Sequence, residues 1–337
     1  ATLNGSYYLV LENGTVNYFS IPNENVTVLI ADGITLKGNA GYFGYEPNIG
    51  TFSTGENAGK FIGEALFYLD ENDNSCLVPS DAHFYNGETV LTDGIWFVGS
   101  NKTVSGRITV SGDVLLILGN GITFNAYRGI TVAEGNSLTV TAQSDGSDAG
   151  KLIAYALYGG DPDKIYDGEY NAAIGGDEDT ETPVGTVIIR HGYVEAHGFT
   201  GGAGIGCDYA DEGGTIIISG GTVYAYGNED AIGIGGDRTV VTIYGGNIFA
   251  YGDETGEDGG SGFGGKGNHV LVRNLWVANN LDDGFCMTGS YHYIVDTILD
   301  DNFRQGLSVV WSDHGVYKNV TFCRTVGGEP HNGFDLE

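Results

Sequence analysis

Three segments align without a gap: TVIIRHGYVEAHG (186–198), TIIISGGTVYAYG (215–227) and VVTIYGGNIFAYG (240–252), and HVLVRNLWVANNL (269–281) continues the series. Each is an alternating β segment, a turn and a second alternating β segment. A glycine followed by a large apolar residue recurs downstream of them, at Gly204-Ile205, Gly233-Ile234, Gly262-Phe263, Gly284-Phe285, Gly306-Leu307 and Gly333-Phe334. The intervals are 29, 29, 22, 22 and 27 residues, and Gly129-Ile130 and Ala173-Ile174 read as earlier members. A period of this length, with two or three short β segments per unit, is that of a solenoid, because one unit cannot bury its apolar side until the next stacks on it.

Stacking predicts columns of side chains running from coil to coil. Val194, Val223, Ile248, Val277, Leu299 and Phe322 form one apolar column and Ala196, Ala225 and Ala250 a second. Alternation along a strand puts those inside and puts Glu195, Tyr224 and Phe249, then His197, Tyr226 and Tyr251, outside.

A second, ungapped duplication relates residues 5–41 to residues 93–129. NVTVLIADGITLKGNAG (25–41) matches DVLLILGNGITFNAYRG (113–129), with turns at Asp32-Gly33 and Asn120-Gly121 whose glycines supply positive φ. The expected organisation is an N-terminal β module over 1–92 and a parallel β-helix over 93–337. The one helix-like stretch is Asn57–Leu69, where Phe61, Ile62, Ala65, Leu66 and Leu69 fall at helical spacings. The fold class is therefore all-β, with short irregular loops and at most one short helix.

Composition sets outer bounds. With 14 Lys+Arg against 44 Asp+Glu the net charge is −30, which disfavours nucleic acid as a partner. No apolar run of 18 residues exists, so no membrane insertion is expected. Cys76, Cys207, Cys286 and Cys323 show no zinc spacing and are read as small apolar residues. Ala1-Thr2-Leu3-Asn4 lacks a leader and reads as a mature end left by cleavage. Sequons stand at Asn4, Asn13, Asn25, Asn101 and Asn319, and glycosylation is weighed against chance in a chain rich in Asn, Ser and Thr.

The units VLVRNLWVANNLDDGF, IVDTILDDNFRQGLSV and VYKNVTFCRTVGGEPHNGFDLE resemble coils of the right-handed parallel β-helix, the pectate-lyase-like superfamily. The segments GGTVYAYGNEDAIGIGG and ITVSGDVLLILGNGITFNAYRGITVAEGNSLTV resemble Gly-rich repeats of large secreted microbial surface proteins. The resemblance covers roughly 93–337 and implies the fold, a right-handed β-solenoid. It implies no single activity, since that superfamily spans lyases, hydrolases, epimerases, spikes and adhesins. No residue of its lyase motifs is matched. The chain reaches Glu337 in mid-coil without a polar cap, and an open strand edge is a template for pairing, so truncation or a neighbouring subunit is expected there.

Three groups of residues carry candidate chemistry. Acidic loops, with Asp208, Asp211, Asp253 and Asp258 as the suggested ligands, would take calcium, the only cofactor entertained; the alternative is a solvated acidic face. Tyr224, Tyr226, Phe249, Tyr251 and Trp276 form a strip of outward rings suited to a sugar or a subunit interface; the alternative is cross-strand packing. Asp282, Arg304 and His331 fall in one column and Asp301 and Arg324 in another, a set that would serve a glycan lyase or glycoside hydrolase; the alternative is Arg pairing to Asp at turns. The leading expectation is a non-enzymatic, extracellular, cell-surface protein, such as a sheath, surface-layer, fibre or adhesin subunit. It self-associates into an oligomer or filament through solenoid ends and exposed aromatics. The alternative is a polysaccharide-active enzyme or glycan-binding module.

Overall fold

The computed structural model describes residues 7–16, 19–21, 26–38, 42–44, 48–54, 57–63, 66–79, 81–156, 171–176, 183–199, 201–207, 213–228, 231–252, 261–265, 270–273, 275–278, 280, 283–325 and 333–336. Among these residues every regular element is a β-strand. The chain is an all-β solenoid. Its largest sheet has 18 strands, running from His83–Phe84 to Phe334–Leu336, with parallel pairing throughout. A six-stranded sheet lies beside it, ordered Lys102–Val104, Thr123–Ala126, Lys151–Tyr155, Tyr193–His197, Thr222–Tyr226 and Asn247–Tyr251. Trp276–Ala278, Ile298–Asp300 and Thr321–Cys323 form a further three-stranded stack.

The register is the one the repeat demands. Ile130, Ile174, Ile205, Ile234, Phe263, Phe285, Leu307 and Phe334 stand in one column of the large sheet. Val194 pairs with Val223 and Val223 with Ile248, and the three alanines behind them pair in the same way. Val277, Leu299 and Phe322 continue the pattern in the last stack. All but Phe322 and Phe334 are buried, in one continuous core. Neighbouring coils lie about 4.8 Å apart, so a shift of one residue would turn this seam outward and is strongly disfavoured.

Close stacking explains the Ile-Gly dipeptide. Gly175, Gly206 and Gly235 adopt φ of 135°, 140° and 134°, and a Cβ on each would overlap the carbonyl oxygen of the glycine one coil further on. Only glycine permits both the left-handed backbone and this approach.

The duplication, offset by 88 residues, is also structural. Tyr7–Val10, Gly14–Val16, Thr27–Ile30 and Thr35–Gly38 reappear as strand segments at 95–98, 102–104, 115–118 and 123–126. In both copies an asparagine accepts a hydrogen bond from the next coil: Thr35 N donates to Asn13 Oδ1 at 2.7 Å and Thr123 N to Asn101 Oδ1 at 2.8 Å. The first copy is thus a set of short parallel stacks, with its own small core of Val26, Val28, Ile30 and Leu36.

The helix expected over Asn57–Leu69 does not form. Lys60–Gly63 is a strand paired in parallel with Thr35–Gly38, and Phe67–Leu69 pairs antiparallel with Ser75–Leu77. Gly59 and Gly63 weaken a helix here, and the outward edge of the preceding coil offers Lys60–Gly63 a ready ladder. The hairpin lies over the large sheet, where Leu66, Tyr68 and Val78 pack with Phe84, Phe97 and Ile117. His191 fastens it: its Nδ1 lies 2.7 Å from Asp145 Oδ2 and its Nε2 2.9 Å from the Asp70 carbonyl oxygen. Thr141 Oγ1 donates to Leu69 O at 2.7 Å and Arg190 lies 3.3 Å from Glu71.

Two glycines with positive φ should respond very differently to alanine. Gly135 (φ 81°) has open space around its missing Cβ, so Gly135→Ala should cost about 1 kcal/mol. Gly206→Ala should cost about 3 kcal/mol or more, because backbone must move. Urea denaturation of the two variants checks this; equal losses would contradict the stacking geometry.

Candidate functional site

The outward face of the six-stranded sheet carries three rows parallel to the stack. The strand Tyr193–His197 contributes Tyr193, Glu195 and His197, each half-buried, and the next two strands place Thr222, Tyr224 and Tyr226, then Asn247, Phe249 and Tyr251, beside them. Tyr155, His197, Tyr226 and Tyr251 form a ring ladder with centroid separations of 4.7, 4.5 and 5.0 Å and interplanar angles of 11°, 8° and 12°. Tyr224 and Phe249 stack at 4.6 Å. The rings therefore turn their faces to one another and present edges and hydroxyls to solvent. Stacking of a sugar across a ring face, one of the two uses expected for this strip, is not what the inner rings offer.

Glu195 is the hub of the face. It accepts from the Tyr193 hydroxyl at 2.6 Å and from His197 Nε2 at 2.8 Å. Burial pushes its carboxyl up, but these two bonds outweigh burial and hold it below the usual carboxylate range. Burial and the neighbouring carboxylate together raise the Tyr193 hydroxyl far above its ordinary value. Burial likewise raises Tyr155, Tyr226 and Tyr251.

Trp276 is outward and 56% exposed, but it starts a different stack. It pairs with Ile298, so it is not part of the ring ladder.

In the last coils, register brings Asp301 beside Arg324, as the sequence suggests, both with left-handed backbone at φ 53° and 47°. The arginines, however, grip other carboxylates. Arg304 forms a two-point bridge to Asp283, with Nε at 3.1 Å and Nη2 at 2.7 Å. Arg324 does the same to Asp300, with Nε at 2.8 Å and Nη2 at 2.5 Å. Gln305 Nε2 donates to Asp335 at 2.7 Å. Between these pairs runs a buried amide ladder, in which Asn280 Nδ2 donates to Asn302 Oδ1 at 2.8 Å and Gly252 N to Asn280 Oδ1 at 3.3 Å. The sequence points to Arg304 and Arg324 but not to Asp283 and Asp300 as their partners, nor to the Asn280–Asn302 pair. The spacing of 21 to 24 residues, one coil, was the available signal.

Asp283 and Asp300 respond oppositely to their surroundings. Burial raises Asp283 despite Arg304, whereas the Arg324 bridge lowers Asp300. Asp282, His331 and the calcium ligands suggested by the sequence, Asp208, Asp211, Asp253 and Asp258, lie outside the described residues. So do the sequons at Asn4 and Asn25, while Asn13, Asn101 and Asn319 are exposed. Asn319 Nδ2 already donates to Asp296 at 2.9 Å. The four cysteines form no disulfide, Cys207 being buried and the others half-buried. No helix among the described residues is long and apolar enough to cross a membrane.

The fold defines the chain as a parallel β-solenoid. Comparison with known proteins returns no matching family model, no similar curated protein and no similar solved structure.

Arg304→Met leaves the fully buried Asp283 carboxylate without its cation, which should cost about 3 kcal/mol at pH 7. A raised carboxyl pKa means that stability is present at low pH and is lost as pH rises through the folded value. The penalty should therefore shrink as pH falls, because the buried Asp283 takes a proton above the ordinary carboxylate range. Asp300 has the opposite sign: its contribution holds above the ordinary carboxylate range and is lost below it, so Asp300→Asn should make the acid limb of the stability profile shallower. Denaturant midpoints measured from acid to neutral pH decide both; a penalty for Arg304→Met that does not vary with pH refutes the buried-carboxylate assignment.

Proposed function

We propose that the protein is a non-enzymatic structural subunit of an extracellular, cell-surface assembly, of the sheath, surface-layer, fibre or adhesin type. One observation supports this above the rest: in the ring ladder and, among the described residues, in the last coils, the arginines and their carboxylate, amide and aromatic neighbours are engaged with one another about one coil apart. Arg304 holds Asp283, Arg324 holds Asp300, Asn280 holds Asn302, and the rings of the ladder lie face to face. Such contacts stiffen a rod; a hydrolase or lyase needs a carboxylate, base or cation left facing its substrate. The acidic balance and the accessible sequon asparagines are in keeping with a secreted location. At Asn13 and Asn101 the corner uses the amide oxygen, so a glycan on Nδ2 would leave the stacking bond intact.

Association would use lateral surface. Trp276, Ile298, Tyr293 and Val316, all more than 40% exposed, lie on the outward rows of the last coils. The same reading takes the coils as right-handed, the hand that parallel crossovers adopt almost without exception, and the chain as a relative of the pectate-lyase-like solenoids.

Purified protein should form concentration-dependent oligomers or filaments in sedimentation and negative-stain images, and Tyr293→Glu with Val316→Lys should shift the distribution toward monomer. Immunogold labelling of native cells should decorate the surface. Incubation with uronate-containing and neutral glycans should yield no new reducing ends and no unsaturated product. A strictly monomeric, intracellular protein, or turnover abolished by Asp301→Ala or Arg304→Ala, overturns the proposal.

A further inference from the structure

A groove of about 410 Å³ crosses successive corners of the solenoid where the large sheet passes into the six-stranded sheet. Its floor includes Gly192, Gly221 and Gly246, and its walls include Asp145, Tyr193, Thr222 and Asn247. Tyr193 pairs with Thr222 and Thr222 with Asn247, so the groove steps from coil to coil along the stack. We infer that it is a binding site for an extended, uncharged glycan.

The shape asks for a linear ligand, because the same corner repeats at each coil and the floor carries no side chain to interrupt it. Its volume falls in the range of small-ligand clefts. The wall groups are a hydroxyl, a carboxamide and a carboxylate, the donors and acceptors that vicinal sugar hydroxyls satisfy. Asp145 is held ready to accept from such hydroxyls. Its Oδ2 lies against His191 and its Oδ1 accepts from Gly192 N at 3.0 Å, yet the side chain stays 47% exposed. No Lys or Arg stands among the described lining residues, and a chain of net charge −30 repels polyanions, so uronates and phosphates are poor candidates. An extended peptide is also disfavoured. Thr222 N donates to Gly192 O and Asn247 N to Gly221 O, both at 2.9 Å, so these floor carbonyls are used between coils and the glycine floor has no pocket for peptide side chains.

This inference is independent of the assembly reading. Cellohexaose, chitohexaose and mannohexaose, titrated into the whole chain with glycine amide resonances as the readout, are the probes. At least one should shift Gly192, Gly221 and Gly246 together, and hexagalacturonate should not. Asn247→Trp, which fills the groove from an exposed strand position, should weaken binding about tenfold or more, and Thr222→Val should weaken it several-fold. Tyr293→Glu, on the other sheet, should leave it unchanged. The inference is overturned if no neutral hexasaccharide binds, if hexagalacturonate binds as well, if a polyserine peptide produces the shifts instead, or if Asn247→Trp has no effect. Sedimentation of the same samples reports on self-association separately, so either idea can fail without the other.

Discussion

Everything in this structure depends on parallel, in-register pairing of one coil with the next. The backbone ladder fixes the rise, and the rise places each side chain a few ångströms from its counterpart one coil away. A residue type is therefore judged by whether it tolerates a near copy of itself as a neighbour. Branched aliphatics and alanine do so inside, where they fill a seam of constant width from Ile130 to Leu307. Aromatic rings do so outside, by stacking.

The same constraint accounts for how a strongly acidic chain can stack at all. Carboxylates in one column would repel at every rung. On the outward face of Tyr193–His197, Thr222–Tyr226 and Asn247–Tyr251 there is one acid, Glu195, and its partners in the column are Ile153 and Tyr224. In the last coils, where Asp283 and Asp300 enter the stack, each is met by an arginine from the following coil. Charge there alternates along the axis instead of repeating.

The hairpin at 67–77 departs from this logic and shows its limits. It is antiparallel and packs on the outside of the large sheet, over Phe97 and Ile117. Its anchor is polar and long-range: His191 reaches Asp70 across 121 residues of sequence. With acceptors at both ring nitrogens, the imidazole joins the hairpin, the loop at Asp145 and the solenoid corner, and it also sets the orientation of Asp145 in the glycine-floored groove.

How much of this is legible in one dimension follows from the range of the interactions. The coil period, the inward columns through Val194 and Ala196, the outward columns through Glu195 and His197, and the duplicated corners at Asn13 and Asn101 can all be read from spacing, since stacking imposes a repeat on the chain and a repeat survives in the sequence. Asn57–Leu69 reads as a helix because a mixed apolar spacing satisfies a helix as well as two short strands, and only the neighbouring coil at Thr35–Gly38 selects the strand. The ring planes turned face to face, the His191 clasp and the groove were decided by tertiary structure alone. Each depends on where a side chain points after folding, or on residues brought together by a corner, and neither leaves a periodic trace in the sequence.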